Sequence, residues 1–355
     1  MVNELGSDIA TAVITEFNKL NAKSGKPTTR SNGVKEWTVL AGVVAITSDS
    51  KITPITLATG VKVLPDKVRS YSNGKVVHDM HAEILALRLF NYFLLEEASN
   101  LPSAWVERYH NQVRFRKDAK LALFVSEPPC GDVSMNYLSS LLESNDSWTS
   151  SSTEGFYRGR NHFDQLGVVR TKPGRTDSLI SYSKSCSDKL CLKQLTGICN
   201  AATSHIFEPI YLEYLVVNNV DTADFDRCFK NRFQTENGHY LKLLKYKTKA
   251  YEFHKSDEKE PSPLSLLYIV PHNLLQVLNN GVKNGAFIKN KAPKPGGESI
   301  ISNKSFLQKL TRICKVNESR YSQFKAFHNT RQAIKQEGRD LLQNWRPTSI
   351  DDFDL

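Results

Sequence analysis

Asp79-Met80-His81-Ala82-Glu83-Ile84, answered further on by Pro129-Cys130-Gly131-Asp132, is the part of the sequence on which the fold turns. The first phrase heads a run, 81–97, in which Ala82, Leu85, Leu89 and Tyr92 recur at helical spacing with no Pro or Gly between them. The second follows an apolar stretch, 121–125, that reads as a buried strand ending at Pro128-Pro129. The next helix is expected to start near 130–132 and to continue through 137–142. An imidazole and a thiol at two neighbouring helix N-termini make good metal ligands. The helix dipole favours the thiolate, and borderline-soft zinc accepts both nitrogen and sulfur. A carboxylate two residues from His81 can stand beside such a metal without binding it.

Outward from these phrases, residues 8–20 read as an amphipathic helix with Ile9, Val13, Phe17 and Leu20 on one stripe. Strands are expected at 37–46 and 55–64, then a turn at Ser72-Asn73-Gly74, and a further strand within 209–217. Strand and helix alternate less regularly from about 260, and the last fifty residues look helical, with Phe306, Leu310 and Ile313 on one face. This order is that of an α/β protein with helices packed on a sheet. No linker and no repeat is visible, so residues 1–355 read as a single domain. The segment 144–178 is rich in Ser, Thr, Gly, Arg and Asn, and reads as a flexible, substrate-facing loop.

Of the 355 residues, 40% are hydrophobic and 24% charged, which excludes wholesale disorder. The longest apolar stretch, 40–46, is far shorter than the ~18–20 residues of a membrane span. With no secretory signal in view either, the expectation is an intracellular protein of nucleus or cytoplasm. Lys and Arg number 47 against 37 Asp and Glu, a surplus of +10 that favours a polyanionic partner. Six cysteines are too few for a disulfide scaffold and read as core thiols or metal ligands.

The order His-x-Glu, then Pro-Cys, is the signature of zinc deaminases, in which the metal activates water and the glutamate moves its proton. That signature continues as Pro-Cys-x-x-Cys, whereas here position 133 is Val. Another thiol must complete the site, and Cys186, in Ser185-Cys186-Ser187-Asp188-Lys189, is the candidate. Either fragment alone is commonplace, as a helix cap or a buried thiol; their combination carries the reading. Cys191 and Cys199 read as packing residues, Cys228 and Cys314 as ordinary thiols, and His78 as a loop residue or a support to the site.

With the three phrases in line, the chain resembles the adenosine deaminases acting on RNA, and most closely their eukaryotic tRNA-specific branch. The resemblance runs from about Leu40 to Trp345 and includes Gly42-Val43-Val44, Ala58-Thr59-Gly60 and Phe207-Glu208-Pro209-Ile210-Tyr211. About 35 residues precede the first strand, too few for a double-stranded-RNA-binding module. The resemblance implies a cytidine-deaminase-like three-layer sandwich with a mixed central sheet and a helical C-terminal elaboration. It implies that His81, Cys130 and Cys186 hold zinc and that Glu83 is the general acid and base of a hydrolysis converting adenosine to inosine. The substrate it implies is the adenosine immediately 3′ of the anticodon of alanine tRNA. A catalytically inactive RNA-binding relative, a deaminase of double-stranded RNA, and a free-nucleoside or cytidine deaminase remain as alternatives. Lys62 matches an RNA phosphate contact of the family, although its neighbour Val61 replaces a threonine. Arg170, Lys172 and Arg175 are candidate tRNA contacts on charge and loop position.

Residues 301–346 hold ten Lys or Arg and three acids, interleaved with Phe306, Leu310, Ile313, Tyr321, Phe324 and Phe327. Such a segment packs, and a buried cation without a counter-charge is costly. A solvated basic face for tRNA phosphates is one reading. The resemblance implies another, a buried inositol hexakisphosphate contacted by Arg88, Lys189, Lys315, Tyr321, Lys325, Trp345 and Arg346. It also implies a polar relay through Asp79 and Lys189. Leu87 and Lys193 stand where the family has an arginine and a tryptophan.

Overall fold

The computed structural model describes residues 4–140, 157–159, 165–172, 178–248, 250–327 and 329–355. Eight strands, contributed by residues 40 to 283, form one sheet. They are β1 (Leu40–Thr47), β2 (Ile52–Thr59), β3 (Ala119–Val125), β4 (Tyr214–Val216), β5 (Lys242–Leu244), β6 (Leu264–Ile269), β7 (Leu274–Asn279) and β8 (Val282–Lys283). Their spatial order is β5-β4-β3-β1-β2-β6-β7-β8. The β3–β4 and β4–β5 pairs are parallel, while β3–β1, β1–β2, β2–β6, β6–β7 and β7–β8 are antiparallel. The sheet is mixed, as expected.

Period-two alternation sorts the strand residues onto two faces. Leu121, Leu123 and Val125 of β3 face one side with Ala41, Val43 and Ala45 of β1; Ala122 and Phe124 face the other with Leu40 and Val44. The second face is covered by α1 (Glu4–Lys19), whose Ile9, Val13 and Phe17 are fully buried. The first face receives α2 (Ala82–Ser99), which begins one residue after His81. Apolar residues surround α2 because the sheet covers one side of it and the C-terminal helices another. Those helices are α5 (Asn303–Leu310), α6 (Tyr321–Phe327) and α7 (Asn329–Leu342); α7 packs on α4 (Cys186–Thr196). The layers are therefore helix, sheet, helix.

Two expected strands are each interrupted. The first divides into Lys35–Trp37 and β1, because Thr38 N bonds Phe253 O instead of a sheet neighbour. The second divides into β2 and Val61–Val63 at Gly60, whose carbonyl accepts Ala82 N at 3.0 Å and where a Cβ would lie 2.1 Å from Met80 O. Val61–Val63 then pairs with Asp79–His81, which brings His81 to the edge of β2. The helix expected from 130 starts later: Asp132–Ser134 is a 3-10 turn, and α3 proper is Met135–Ser140. Most of 144–178 lies outside the described residues. The described part 165–172 turns inward, with Arg170–Thr171 paired to Tyr157–Arg158 and Thr171 bridged to Lys184.

Candidate active site

Each of the three ligand-type residues stands at an element start. His81 is the N-cap residue of α2, Cys130 lies in the turn after β3, and Cys186 opens α4. Gly131 takes φ 108°, and a Cβ there would strike Ser185 Oγ at 2.1 Å, so only glycine lets the two cysteine turns approach. Ser185 caps α4, its Oγ accepting Asp188 N at 3.1 Å. The turns are also laced together directly. Ser187 N and Oγ donate to Cys130 O at 3.0 and 2.9 Å, and Cys186 N donates to Cys130 Sγ at 3.4 Å.

As a result the ligand atoms of His81, Cys130 and Cys186 lie within 4.8 Å of one another. His81 Nδ1 is 3.6 Å from Cys130 Sγ. The Cys186 thiol beside it holds the Cys130 thiol well below the ordinary range, helped by Lys172 and His81, while burial pushes Cys186 up. One imidazole and two sulfurs at this spacing are the donor set of a three-ligand zinc site, so the residues present fit the metal. Glu83 is 3% exposed and is not a member of this triplet. Burial raises its carboxyl above the usual range; His81 and Lys172 pull the other way.

Asp79 and Lys189 are in contact: Lys189 Nζ donates to Asp79 Oδ2. A third member joins them. Lys172 Nζ reaches Asp79 Oδ1 and Oδ2 at 3.0 and 2.8 Å and Cys186 Sγ at 3.1 Å. Although burial opposes its charge, Asp79 is held well below the usual carboxylate range by Lys172, Lys189 and His81. The expectation of Lys172 and Arg170 as tRNA contacts is thereby corrected. Lys172 is 3% exposed with its ammonium on Asp79, and Arg170 is fully buried with its guanidinium on the carbonyls of Gly159 and Gln165. Arg175 lies outside the described residues. Lys62 remains exposed on the short strand paired with Asp79–His81 and bonds Asn280.

A second group of cations, half-buried, gathers where α4, α6 and α7 meet. Burial and the charges of Lys325, Arg339, Arg331 and Lys193 push Lys335 down to about 7. Lys193 is pushed down to about 8 by burial and then by Arg331. Burial likewise lowers Lys325, Arg331 and Arg339. Among the described residues none of these five makes an ion pair, and Arg331 Nε and Arg339 Nε are buried without a hydrogen-bond partner. Of the expected phosphate contacts, Arg88 and Tyr321 adjoin the group, and Lys325 lies over the Tyr321 ring. Trp345 and Arg346 lie beside Lys184 and Tyr182. Lys315 is exposed, because the chain between α5 and α6 runs over the surface, and it does not enter the group. Arg331, Lys335 and Arg339 were not among the expected contacts, yet their i, i+4, i+8 spacing marks one face of a helix.

A family model described as the adenosine-deaminase (editase) domain matches residues 56–345. The chain is 36% identical to tRNA-specific adenosine deaminase 1 of Schizosaccharomyces pombe, over 99% of this chain and 97% of that protein. It is 34% identical to the protein of the same name from Saccharomyces cerevisiae, over 99% of this chain and 94% of that one. It is 28% identical to the double-stranded RNA-specific editase B2 of Mus musculus, over 51% of this chain and 27% of the editase.

Proposed function

The chain belongs to the adenosine-deaminase (editase) family, and from that premise we propose that it hydrolyses adenosine to inosine in tRNA, with zinc at His81, Cys130 and Cys186. The observation that carries the reading is the meeting of these three side chains, from three separated segments, beside a buried carboxylate outside the triplet. Bound there, zinc supplies the Lewis acidity that makes water nucleophilic at neutral pH. Glu83 does the proton work. Its carboxylate, whose proton affinity burial raises, accepts one proton of the attacking water and delivers it to adenine N1 as the water oxygen bonds C6. It then takes the remaining proton from the C6 hydroxyl and passes it to the 6-amino nitrogen, which leaves as ammonia as the C6–N bond breaks and C6=O forms. The products are inosine and ammonia. Lys172 bonds Cys186 Sγ and Asp79 together and so steadies the site from behind.

Adenosine immediately 3′ of the anticodon in alanine tRNA is the proposed target. An anticodon loop presents unstacked bases, so extruding one costs less than from a duplex. The near full-length similarity to proteins named for tRNA favours this substrate over double-stranded RNA, whose editase matches half of the chain.

For the half-buried cations we propose inositol hexakisphosphate as a structural ligand. Mutually depressed lysines and two orphaned guanidinium nitrogens fit a polyanion better than they fit solvent. Binding only the folded state, it stabilises by mass action. Protein made in cells unable to synthesise it should fold poorly; soluble, active enzyme from such cells would overturn the assignment.

The deciding assay measures inosine in an alanine tRNA transcript treated with purified protein, with metal content determined on the same sample. Turnover of free adenosine with none on tRNA would sink the tRNA reading.

A further inference from the structure

Both cysteines begin the same kind of phrase, Cys130-Gly131-Asp132 and Cys186-Ser187-Asp188. Asp132 and Asp188 are fully buried. Each is met by an arginine, and the two arginines come from one short segment. Arg227 Nε lies 3.2 Å from Asp132 Oδ2 and its Nη2 donates to Asp132 O at 2.8 Å, while Arg232 Nη1 lies 2.8 Å from Asp188 Oδ1.

Arg227 opens a single π turn, Arg227–Asn231, and Arg232, the residue that follows it, closes the turn with its N on Arg227 O at 3.2 Å. In an α-helix, side chains five residues apart would diverge by about 140°. Widening to i→i+5 brings them back to nearly the same face. The rare geometry is what lets Arg227 and Arg232 reach two neighbouring turns at once.

Both carboxylates are also tied to the backbone they support. Asp188 Oδ2 accepts Ser185 Oγ at 2.5 Å and Arg170 N at 2.9 Å, and Asp132 Oδ1 accepts Gly167 N at 2.5 Å. Behind Arg227 stands Asp224, itself bonded by Asn136 Nδ2 at 2.6 Å. Arg232 is further anchored by Nε on Cys228 O at 2.9 Å and Nη2 on Cys228 Sγ at 3.3 Å.

We propose that Arg227 and Arg232 are positioning residues for the metal centre: each grips the carboxylate two residues beyond a cysteine, and the π turn joins them into one clamp that sets the Cys130–Cys186 spacing. The proposal rests on the reading of His81, Cys130 and Cys186 as metal ligands. Residues behind the ligands of a metal commonly change its affinity by about 10–100-fold. Arginine, not lysine, suits position 227 because its planar fork reaches Asp132 Oδ2 and Asp132 O at once. Arg232 instead meets Asp188 as a close ion pair while its other nitrogens are held by Cys228.

The test uses the full chain in wild-type form and as Arg227→Lys, Arg232→Lys and the double variant. Lys230→Ala, on the same turn but paired outward with Asp226, is the control. Three quantities are read: the rate of zinc loss to a chelator, the thiolate-to-cobalt charge-transfer band after Co(II) substitution, and the melting temperature. Zinc loss should quicken about 10–100-fold in either lysine variant with an altered cobalt band, and the control should match wild type. The double variant should be little worse than the worse single one, since the two arginines act as a unit. Unchanged zinc release and cobalt band alongside a lowered melting temperature would reduce the clamp to ordinary fold stabilisation. Wild-type protein that retains no zinc would retire the metal reading and the clamp with it, a result distinct from the previous one. Should a lysine variant be insoluble, Asp132→Asn and Asp188→Asn keep the side-chain volume and answer through the same three readouts.

Discussion

Two regions of this protein treat charge in opposite ways. Around the two cysteines three buried aspartates have their cations: Asp79 has Lys172 and Lys189, Asp132 has Arg227, and Asp188 has Arg232. Between α4, α6 and α7, Lys193, Lys325, Arg331, Lys335 and Arg339 face one another, and the charges that bear most on Lys335 are all positive. The first region pairs its aspartates with cations of its own. The second has no such pairing among the described residues, and that is why a polyanion is proposed for it: cations partly withdrawn from water need opposite charge nearby.

The largest effect should come from Glu83→Ala, which removes the proton carrier and leaves both charge arrangements intact. Inosine formation on tRNA should fall by about 10²–10⁴-fold or more, with zinc content unchanged. Activity equal to wild type would take Glu83 out of the mechanism.

Asp79→Ala tests the self-sufficient region. Breaking a buried pair strands its partners, here Lys172 and Lys189, at a cost of about 3–5 kcal/mol. Urea unfolding of the two proteins measures it. A loss below about 1 kcal/mol would show that these lysines find another counter-charge, and the contrast between the regions would collapse.

The cation-rich region should announce itself through pH. Folding holds Lys335 at about 7 and Lys193 at about 8, against roughly 10.4 for an unfolded lysine. Between those values the unfolded chain binds more protons than the folded one, so stability rises with pH across about 7–10. That is the sign for protein stripped of polyanion. With inositol hexakisphosphate bound, the same lysines stay protonated in folded and unfolded chain alike across this range, so their pH-dependent rise should flatten. Melting temperatures from pH 6.5 to 9.5, with and without the ligand, read both slopes. Lys335→Met gives a smaller version: about 1 kcal/mol of stabilisation in stripped protein and a similar loss in loaded protein.

Lys62 belongs to neither region and supplies the baseline. Its replacement by Ala should leave kcat unchanged, weaken tRNA binding modestly and reduce the salt dependence of binding by about one phosphate contact. A change in melting temperature comparable to that of Asp79→Ala would mean that Lys62 is no mere rim residue.

Much of the site was legible because it is locally encoded. His81 and Glu83 at the start of an uninterrupted apolar helix, Cys130 after a short apolar strand, and Cys186 ahead of Asp188 and Lys189 all announce themselves within a few residues. The alternation of β1 and β3 and the stripe of α1 follow from the two- and 3.6-residue periods in the same way. Local reading failed where the backbone's partner lay far away. Thr38 breaks a strand to bond residue 253, and Gly60 breaks another to accept Ala82 N.

By itself the sequence determined the order of elements, the residue types fit for metal and proton chemistry, and the existence of a basic, apolar C-terminal segment. Tertiary structure alone decided which charges are inside and with whom. Lys172 and Arg170 sit in a polar, Gly- and Ser-rich stretch that looks solvated, yet Lys172 lies on Asp79, 93 residues distant, and Arg170 is enclosed. Lys315 looked equivalent to Lys325 but stays exposed, whereas Lys193 and Lys335 go in. The reason is physical: a side chain's spacing from its neighbours is written along the chain, but its dielectric surroundings and counter-charges are supplied by segments that only folding brings near.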